Sequence, residues 1–179
     1  MRQPKKGLEL VIRAAGFAAH KHRDQRRKDV NQSPYINHPL ELAEVLLTEG
    51  LIADPVTLAG ALLHDTIEDT QTTFDELRGQ FGTRVADIVM EVTDTKFIDP
   101  RVRKRLQVAK ARRASLAARR IKLADKICNL RDILAHPPAK WSLDRKREYF
   151  DWAKSVVDRV RGTNARLERR FDEVYAQRP

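Results

Sequence analysis

The most informative stretch of the chain is LLHDTIEDT, residues 62–70. A leucine-rich helix face delivers one histidine and three carboxylates within two turns. On a helix, His64 and Glu68 stack one turn apart, and Asp65 and Asp69 stack in the adjacent column. Burying so many ionisable groups beside leucines is unfavourable unless a cation compensates them, and imidazole nitrogens and carboxylate oxygens are ordinary ligands of divalent metals. The stretch therefore indicates a metal site.

Outward from this stretch, apolar residues recur at helical spacing along nearly the whole chain. The first stripe consists of Leu8, Val11, Ile12, Ala15 and Ala19. Asp54 and Thr73 are predicted to cap helices and Pro137-Pro138 to end one. From about Ser142 the pattern fits either one helix or two helices divided at Gly162-Thr163. The sequence shows no convincing strand alternation, internal repeat or low-complexity linker. It predicts an all-α domain of seven to nine helices over residues 1–179.

Composition excludes several classes of protein. The 179 residues are 41% hydrophobic and 34% charged, enough for one domain with a sizeable core. One cysteine, Cys128, rules out an internal disulfide framework and favours a cytoplasmic location. No apolar run approaches the roughly 18–20 residues that span a bilayer, and the N-terminal segment is amphipathic rather than a secretory signal. Collagenous, membrane-spanning and disulfide-stapled proteins are excluded.

Two more residues complete the predicted metal site. His38 precedes Pro39 at a helix start, and Asp125 lies on an apolar helix over residues 116–134. Each has an ordinary alternative, since a histidine before a helix is usually a cap and an aspartate usually marks a polar edge. In this order, however, His38, the His64-Asp65 pair and Asp125 form an H…HD…D pattern. The combination favours metal binding.

Further motifs extend the pattern over nearly the whole chain. They are HKHRDQRRK (20–28), PYINHP (34–39), ALLHDTIEDT (61–70), FG (81–82), EVTD (91–94), RKRLQ (103–107), IKLADKICNLRD (121–132), YFDWA (149–153) and GTN (162–164). With these motifs the sequence resembles an HD-superfamily phosphohydrolase. It most resembles the small alarmone hydrolases, the stand-alone form of the hydrolase domain of RelA/SpoT proteins.

The resemblance implies an HD-domain helical bundle with Mn²⁺ as cofactor. Its expected activity is a guanosine-3′,5′-bis(diphosphate) 3′-pyrophosphohydrolase, which converts guanosine tetra- or pentaphosphate (ppGpp, pppGpp) into GDP or GTP plus pyrophosphate and so ends the stringent-response signal. The metal ligands that it implies are His38, His64, Asp65 and Asp125. Glu68 and Asp69 match the acidic pair that the family needs for catalysis.

The same resemblance implies the substrate contacts. Arg27 and Lys28 match a basic pair that packs against guanine, and a guanidinium plane does stack on a base. Asn129, one turn after Asp125, is expected near the ribose, Lys122 near phosphate and Tyr149 near the 5′-phosphates. The ordinary alternatives are a solvated charge run for the basic pair and a half-buried core position for the tyrosine.

The positive charge is concentrated in one region. Lysine and arginine number 35 against 25 acids, a net charge of +10, and residues 101–122 contain ten of the basic residues and no acid. Such a surface steers polyphosphates toward a site. It also suits nucleic acid, but aromatics that would stack bases are absent from it, so nucleic acid is not the expected partner. A solvated helix face is the plain alternative.

Other functions stay open at this point. An HD phosphohydrolase acting on a 5′-nucleotide or on the 2′-phosphate of NADPH would share the metal site. A basic nucleic-acid-binding module is a third reading, although its metal site would be degenerate and every predicted ligand is intact here. RelA/SpoT synthetases carry a second catalytic domain, for which 179 residues leave no room, so we expect degradation and not synthesis of the alarmone. A homo-oligomer is neither predicted nor excluded.

Overall fold

Ten α-helices are present in the computed structural model, which describes residues 3–179. Their bounds are α1 Gln3–Lys21, α2 Asn37–Glu44, α3 Pro55–Leu63, α4 Thr66–Asp69, α5 Phe74–Phe81, α6 Thr83–Val92, α7 Pro100–Ala111, α8 Leu116–Ala135, α9 Leu143–Val157 and α10 Ala165–Tyr175. α2 continues as a π-helical segment over Val45–Glu49, and α4 is a single turn. Within residues 3–179 nine helices are therefore two turns or longer, and no strand forms. The all-α prediction is confirmed.

The predicted caps position several of these helices. The Asp54 carboxylate accepts the backbone N–H of Thr57 at 3.0 Å and begins α3. The Thr73 hydroxyl accepts the backbone N–H of Glu76 at 3.1 Å and begins α5. The Glu76 carboxylate pairs with Lys21 Nζ at 2.9 Å, and this ion pair connects α5 to the end of α1. Both caps satisfy backbone donors that the helices leave free.

The hydrophobic core is built around α3 and α8. Ten of the twenty residues of α8 and seven of the nine of α3 are buried. α3 and α6 approach closely at Gly60, where a Cβ atom would lie 2.7 Å from Ile88 Cγ2. Across the described residues, no helix is both long enough and apolar enough to cross a membrane.

The packed face of α1 differs from the predicted stripe. Leu8 and Ile12 are 65% and 62% exposed, whereas Ala14 and Ala18 are fully buried. The apolar residues of α1 surround much of the helix, so spacing alone does not select the packed side. The alanine face with Ala14 and Ala18 packs because small side chains let α1 lie close against α3. The predicted stripe was wrong for Leu8, Ile12 and Ala19, which are exposed.

Candidate metal and phosphate site

The four predicted metal ligands converge from three helices. His38 lies in the first turn of α2, His64 directly follows α3, and Asp125 lies in the middle of α8. Donor atoms of His38, His64 and Asp65 lie within 4.8 Å of one another. Asp125 Oδ1 lies 3.2 Å from His38 Nε2 and completes the cluster. Residues separated by 87 positions in the sequence thus form one wall of a cavity.

A break in the helix, rather than a continuous helix, arranges the central motif. α3 ends at Leu63, and Asp65 has φ −100° and ψ 0° before the single turn of α4 begins. The Thr66 hydroxyl donates to the Leu63 carbonyl oxygen at 2.7 Å and holds the bend. The predicted stacking of His64 on Glu68 along one helix is therefore wrong. The bend brings His64 Nε2 within 2.8 Å of Asp65 Oδ2, although neighbours on a regular helix point about 100° apart.

The two histidines have opposite electrostatic environments. Burial lowers the pKa of His38, and the Asp125 carboxylate only partly opposes this effect. Burial also disfavours the charged form of His64, but the carboxylates of Asp65 and Asp125 outweigh it and raise the pKa to about 9. Burial likewise opposes ionisation of Asp65, yet the adjacent His64 holds the pKa of that carboxyl well below its usual range. The cluster thus contains anionic oxygens that need positive charge nearby.

The donor set fits a divalent metal. His64 Nδ1 lies 2.8 Å from the Ala61 carbonyl oxygen, so this nitrogen carries the ring proton and the other nitrogen faces the Asp65 carboxylate. Two acceptors in contact require a proton or a cation between them. His38 Nδ1 is buried and has no hydrogen-bond partner among residues 3–179. Two imidazoles and two carboxylates are a normal ligand set for such an ion, and the Ala61 contact is the kind that orients a ligating histidine.

Glu68 faces the same cavity as the metal cluster. Its Oε2 accepts the backbone N–H of Asp94 at 3.1 Å. Burial raises the pKa of Glu68 to about 7, the Asp94 N–H opposes the rise, and nearby carboxylates such as Asp65 add to it. Glu68 can therefore hold or release a proton near neutral pH.

Asp69 faces a different part of the pocket from Glu68. It lines an adjoining outer groove and not the inner cavity. Gln25 Nε2 donates to Asp69 Oδ2 at 2.8 Å, and Lys96 forms an ion pair with Asp69 Oδ1. The predicted acidic pair is thus divided, since Glu68 lies at the junction of the two spaces and Asp69 lies on the outer side.

The two spaces together form an elongated pocket. The inner cavity has a volume of about 270 Å³ and the outer groove about 490 Å³. The residues shared by both linings are Arg27, Tyr35, Glu68, Arg103, Asn129 and Tyr149. The inner cavity also receives three lysines, Lys104, Lys122 and Lys126, so its walls combine the acidic cluster with cations.

The predicted guanine contacts lie at the junction and on the outer side. The Arg27 guanidinium pairs with Asp132 and lies 5.7 Å from the centre of the Tyr35 ring. Lys28 is exposed and lines only the outer groove. These contacts orient the Arg27 plane, whereas Lys28 keeps its freedom to move.

The other three predicted substrate residues border the inner cavity. Asn129 Nδ2 donates to Asp125 Oδ1 at 2.6 Å, so this amide is already bound to the metal cluster. Lys122 is buried and donates to the Val92 carbonyl oxygen at 3.4 Å. The Tyr149 ring packs against two tryptophan rings at 5.5 and 5.1 Å. The roles of these residues stay predictions.

Sequence reasoning missed several residues of the pocket. The Tyr35 hydroxyl donates to Asp65 Oδ2, and its position three residues before His38 was a usable signal. Lys104 and Gln107 enter the inner cavity from α7 at helical spacing, but nothing in the sequence shows that α7 covers the site. Trp152 Nε1 donates to the Lys104 carbonyl oxygen at 3.3 Å and joins α7 to α9.

Comparisons with known proteins agree with this geometry. A family model described as HD domain matches residues 14–151. MESH1 of Xenopus tropicalis, named guanosine-3′,5′-bis(diphosphate) 3′-pyrophosphohydrolase, is 51% identical over 166 residues, 93% of each chain. The Homo sapiens protein of the same name is 50% identical over 168 residues, 94% of each chain. A solved structure, described as a metazoan ortholog of SpoT that hydrolyzes ppGpp, has a TM-score of 0.91 and 46% identity over 94% of this chain and 95% of that one. The chain therefore belongs to the HD-domain family and, within it, to the SpoT-related group that includes MESH1.

Proposed function

We propose that this protein is an Mn²⁺-dependent hydrolase that removes the 3′-pyrophosphate of guanosine tetra- or pentaphosphate, giving GDP or GTP plus pyrophosphate. The observation that carries the proposal is the convergence of His38, His64, Asp65 and Asp125 beside Glu68 in one cavity. The activity for which these relatives are named supports the substrate, since they are about half identical to this chain over nearly their whole length. The proposal takes residues 1–179 as one catalytic domain acting in the cytoplasm.

The cluster described above would hold the metal. When bound, the ion supplies a positive centre that polarises a phosphate oxygen and acidifies water. The protein contributes the fixed orientation of the donors, because the Ala61 carbonyl oxygen sets the tautomer of His64 and Asn129 holds Asp125. The carboxylate donors suit Mn²⁺, whereas imidazole also suits Zn²⁺, Fe²⁺ and Ni²⁺, so the choice of Mn²⁺ rests on the resemblance to the alarmone hydrolases.

Glu68 and Asp69 would divide the proton transfers. In the reaction a bond forms between the oxygen of water and the 3′-linked phosphorus, the bond from phosphorus to the 3′-oxygen breaks, and that oxygen takes a proton. Glu68, with its pKa raised to about 7, can supply the proton to the leaving 3′-oxygen. Asp69 follows Glu68 on the outer-groove side, so with the 3′-linked phosphorus at the junction of the two spaces it can orient the water and accept its proton.

Cations around the pocket match the charge of the substrate. Lys122, Lys126, Lys104 and Arg103 line the inner cavity, where phosphates would lie. The carboxylate of Asp125 outweighs burial and raises the pKa of Lys126, which keeps this lysine charged. The base would extend into the outer groove, where Arg27 and Lys28 offer a cationic surface. This polarity puts the 3′-pyrophosphate beside the metal cluster.

The test is turnover of guanosine tetraphosphate by metal-stripped protein, with and without added Mn²⁺, followed by separation of the products. We expect GDP and pyrophosphate only when the metal is present. His38→Gln removes one donor and should abolish turnover, whereas His20→Gln, at an exposed position of α1, serves as the matched control. Absence of turnover in the wild type, or hydrolysis only of another nucleotide such as NADPH, would contradict the proposed substrate.

A further inference from the structure

We propose that Gln25 is a positioning residue for the Asp69 carboxylate, and that His22 fixes Gln25 in turn. The inference rests on the proposed function, in which Asp69 orients the attacking water. Gln25 Nε2 lies 2.8 Å from Asp69 Oδ2, and Gln25 Oε1 lies 2.6 Å from His22 Nδ1. The three side chains form one hydrogen-bonded chain from the end of α1 to the edge of the pocket.

The directions of the two hydrogen bonds in this network follow from the carboxylate of Asp69. An ionised carboxylate only accepts hydrogen bonds, so the amide NH₂ of Gln25 must face it. The amide oxygen of Gln25 consequently faces His22, and Nδ1 of that imidazole must carry the proton. The opposite amide orientation would set two oxygens 2.8 Å apart. One arrangement therefore satisfies both hydrogen bonds of the network; it leaves Asp69 Oδ1 to Lys96, and His22 Nε2 has no hydrogen-bond partner among residues 3–179.

The hydrogen-bond network of His22, Gln25 and Asp69 is held more firmly than the ion pair between Asp69 and Lys96. His22 is 1% exposed, and its ring packs 4.9 Å from the ring of Tyr35. The backbone N–H of Tyr35 donates to the Gln25 carbonyl oxygen at 3.1 Å, which pins the residue from the other side. Lys96, by contrast, pairs with Asp69 from a side chain that is 43% exposed. When a phosphate competes for Lys96, Gln25 still defines the plane of the carboxylate.

Steady-state kinetics of Gln25→Met test this role. Methionine keeps the length of the side chain and removes both polar atoms. We expect kcat to fall about 10-fold or more, the size of effect that supporting hydrogen bonds have at other sites, while KM changes by less than about twofold. His22→Phe, which keeps a buried ring, should lower kcat by a smaller factor. Gln71→Met, at an exposed position near Asp69, is the matched control and should leave both constants unchanged.

Two readouts separate positioning from general structural support. In an Asp69→Asn background, Gln25→Met should lower kcat by no more than about twofold, because residues that act as a unit are not additive. In Gln25→Glu, the introduced carboxyl group can donate a hydrogen bond to Asp69 only when it is protonated, so activity should recover at low pH and fall as the pH rises. An equal loss in both backgrounds, or a wild-type pH profile for Gln25→Glu, would overturn the role of Gln25 and leave the proposed function intact. A wild type without turnover would overturn the proposed function and this role with it.

Discussion

The inner wall of the pocket and its outer cover are built differently. α8, which carries Asp125, has ten buried residues out of twenty, whereas α7, which carries Lys104 and Gln107, has one buried residue out of twelve, Ala111. The wall is thus part of the hydrophobic core, and the cover is attached to it from outside. We infer that the core holds the metal donors rigidly while α7 supplies adjustable cations. Changes in the wall should then remove the chemistry, and changes in the cover should adjust binding.

Polar contacts join the cover to the site, in addition to the packing of Val108 and Ala111 against the core. The side chain of Gln107 donates to Asp94, whose own backbone N–H donates to Glu68 at 3.1 Å. Trp152 donates to the Lys104 carbonyl oxygen from α9. Hydrogen bonds of this kind contribute about 0.5–1.5 kcal/mol each, less than the burial of a large apolar side chain. The same contacts therefore link the cover to Glu68 without fixing the cover as firmly as the wall.

Replacing Asp125 in the wall should have the largest effect. Asp125→Asn keeps the side-chain volume and removes the negative charge, so Mn²⁺ binding should weaken and turnover should fall below detection. Calorimetric titration with Mn²⁺ and product analysis measure both. Asp151→Asn, which removes a carboxylate from an exposed pair with Arg178, is the control and should bind metal normally. Wild-type metal affinity and activity in Asp125→Asn would disprove the ligand assignment.

Glu68→Gln should have the next largest effect, because it separates the proposed role of Glu68 as an acid from the predicted binding of metal by the wall. The variant should bind Mn²⁺ like the wild type and lose activity by about two or more orders of magnitude, the usual contribution of a general acid or base. Single-turnover rates at saturating metal are the measurement. An active Glu68→Gln protein would remove Glu68 from the mechanism.

The stability of metal-free Glu68→Gln should also depend on pH in a defined direction. The pKa of Glu68 is raised from 4.5 to about 7 in the folded protein. The wild type therefore has the full contribution of this group below about pH 4.5 and loses it as the pH rises through 7. Glutamine does not titrate, so the melting temperature of the variant relative to the wild type should increase between pH 5 and pH 8. A constant difference would mean that Glu68 titrates at its ordinary pKa.

The sequence predicts the composition of the wall better than the shape of the site. The order and spacing of His38, the His64-Asp65 pair and Asp125 predicted four donors that lie together in the structure, because each lies on, or directly after, a helix that packs into the core. The bend after Leu63 was not predictable, since it depends on a hydroxyl-to-carbonyl contact within three residues. The covering position of α7 was not predictable either, because a highly charged helix with one buried residue has almost no apolar pattern to read.

Packing behind the wall can be tested with two glycines. A Cβ atom at Gly60 would lie 2.7 Å from Ile88 Cγ2 and 3.3 Å from Ile121 Cδ1, so Gly60→Ala should destabilise the protein by about 1–3 kcal/mol, as overpacking does. Gly79→Ala in α5 meets no atom within 4 Å and should stabilise by about 0.5–1 kcal/mol through helix propensity. Urea unfolding compares the two. Equal effects of both substitutions would show that the contact between α3 and α6 is not tight.

Trp152→Phe in α9, which removes one hydrogen bond to the cover, should have the smallest effect, and it tests whether the cover only adjusts binding. In the wild type, Lys126 Nζ lies 4.3 Å from the centre of the Trp152 ring. Phenylalanine keeps an aromatic face beside this ammonium group but loses the hydrogen bond to the Lys104 carbonyl oxygen. A bond worth about 0.5–1 kcal/mol corresponds to a two- to fivefold change, which we expect in KM with kcat unaltered. Tyr175→Phe removes a hydrogen bond to Asp151 on the far side and should change neither constant. A fall in kcat with constant KM would instead mean that α7 helps to position the reacting groups, and the distinction between wall and cover would then be wrong.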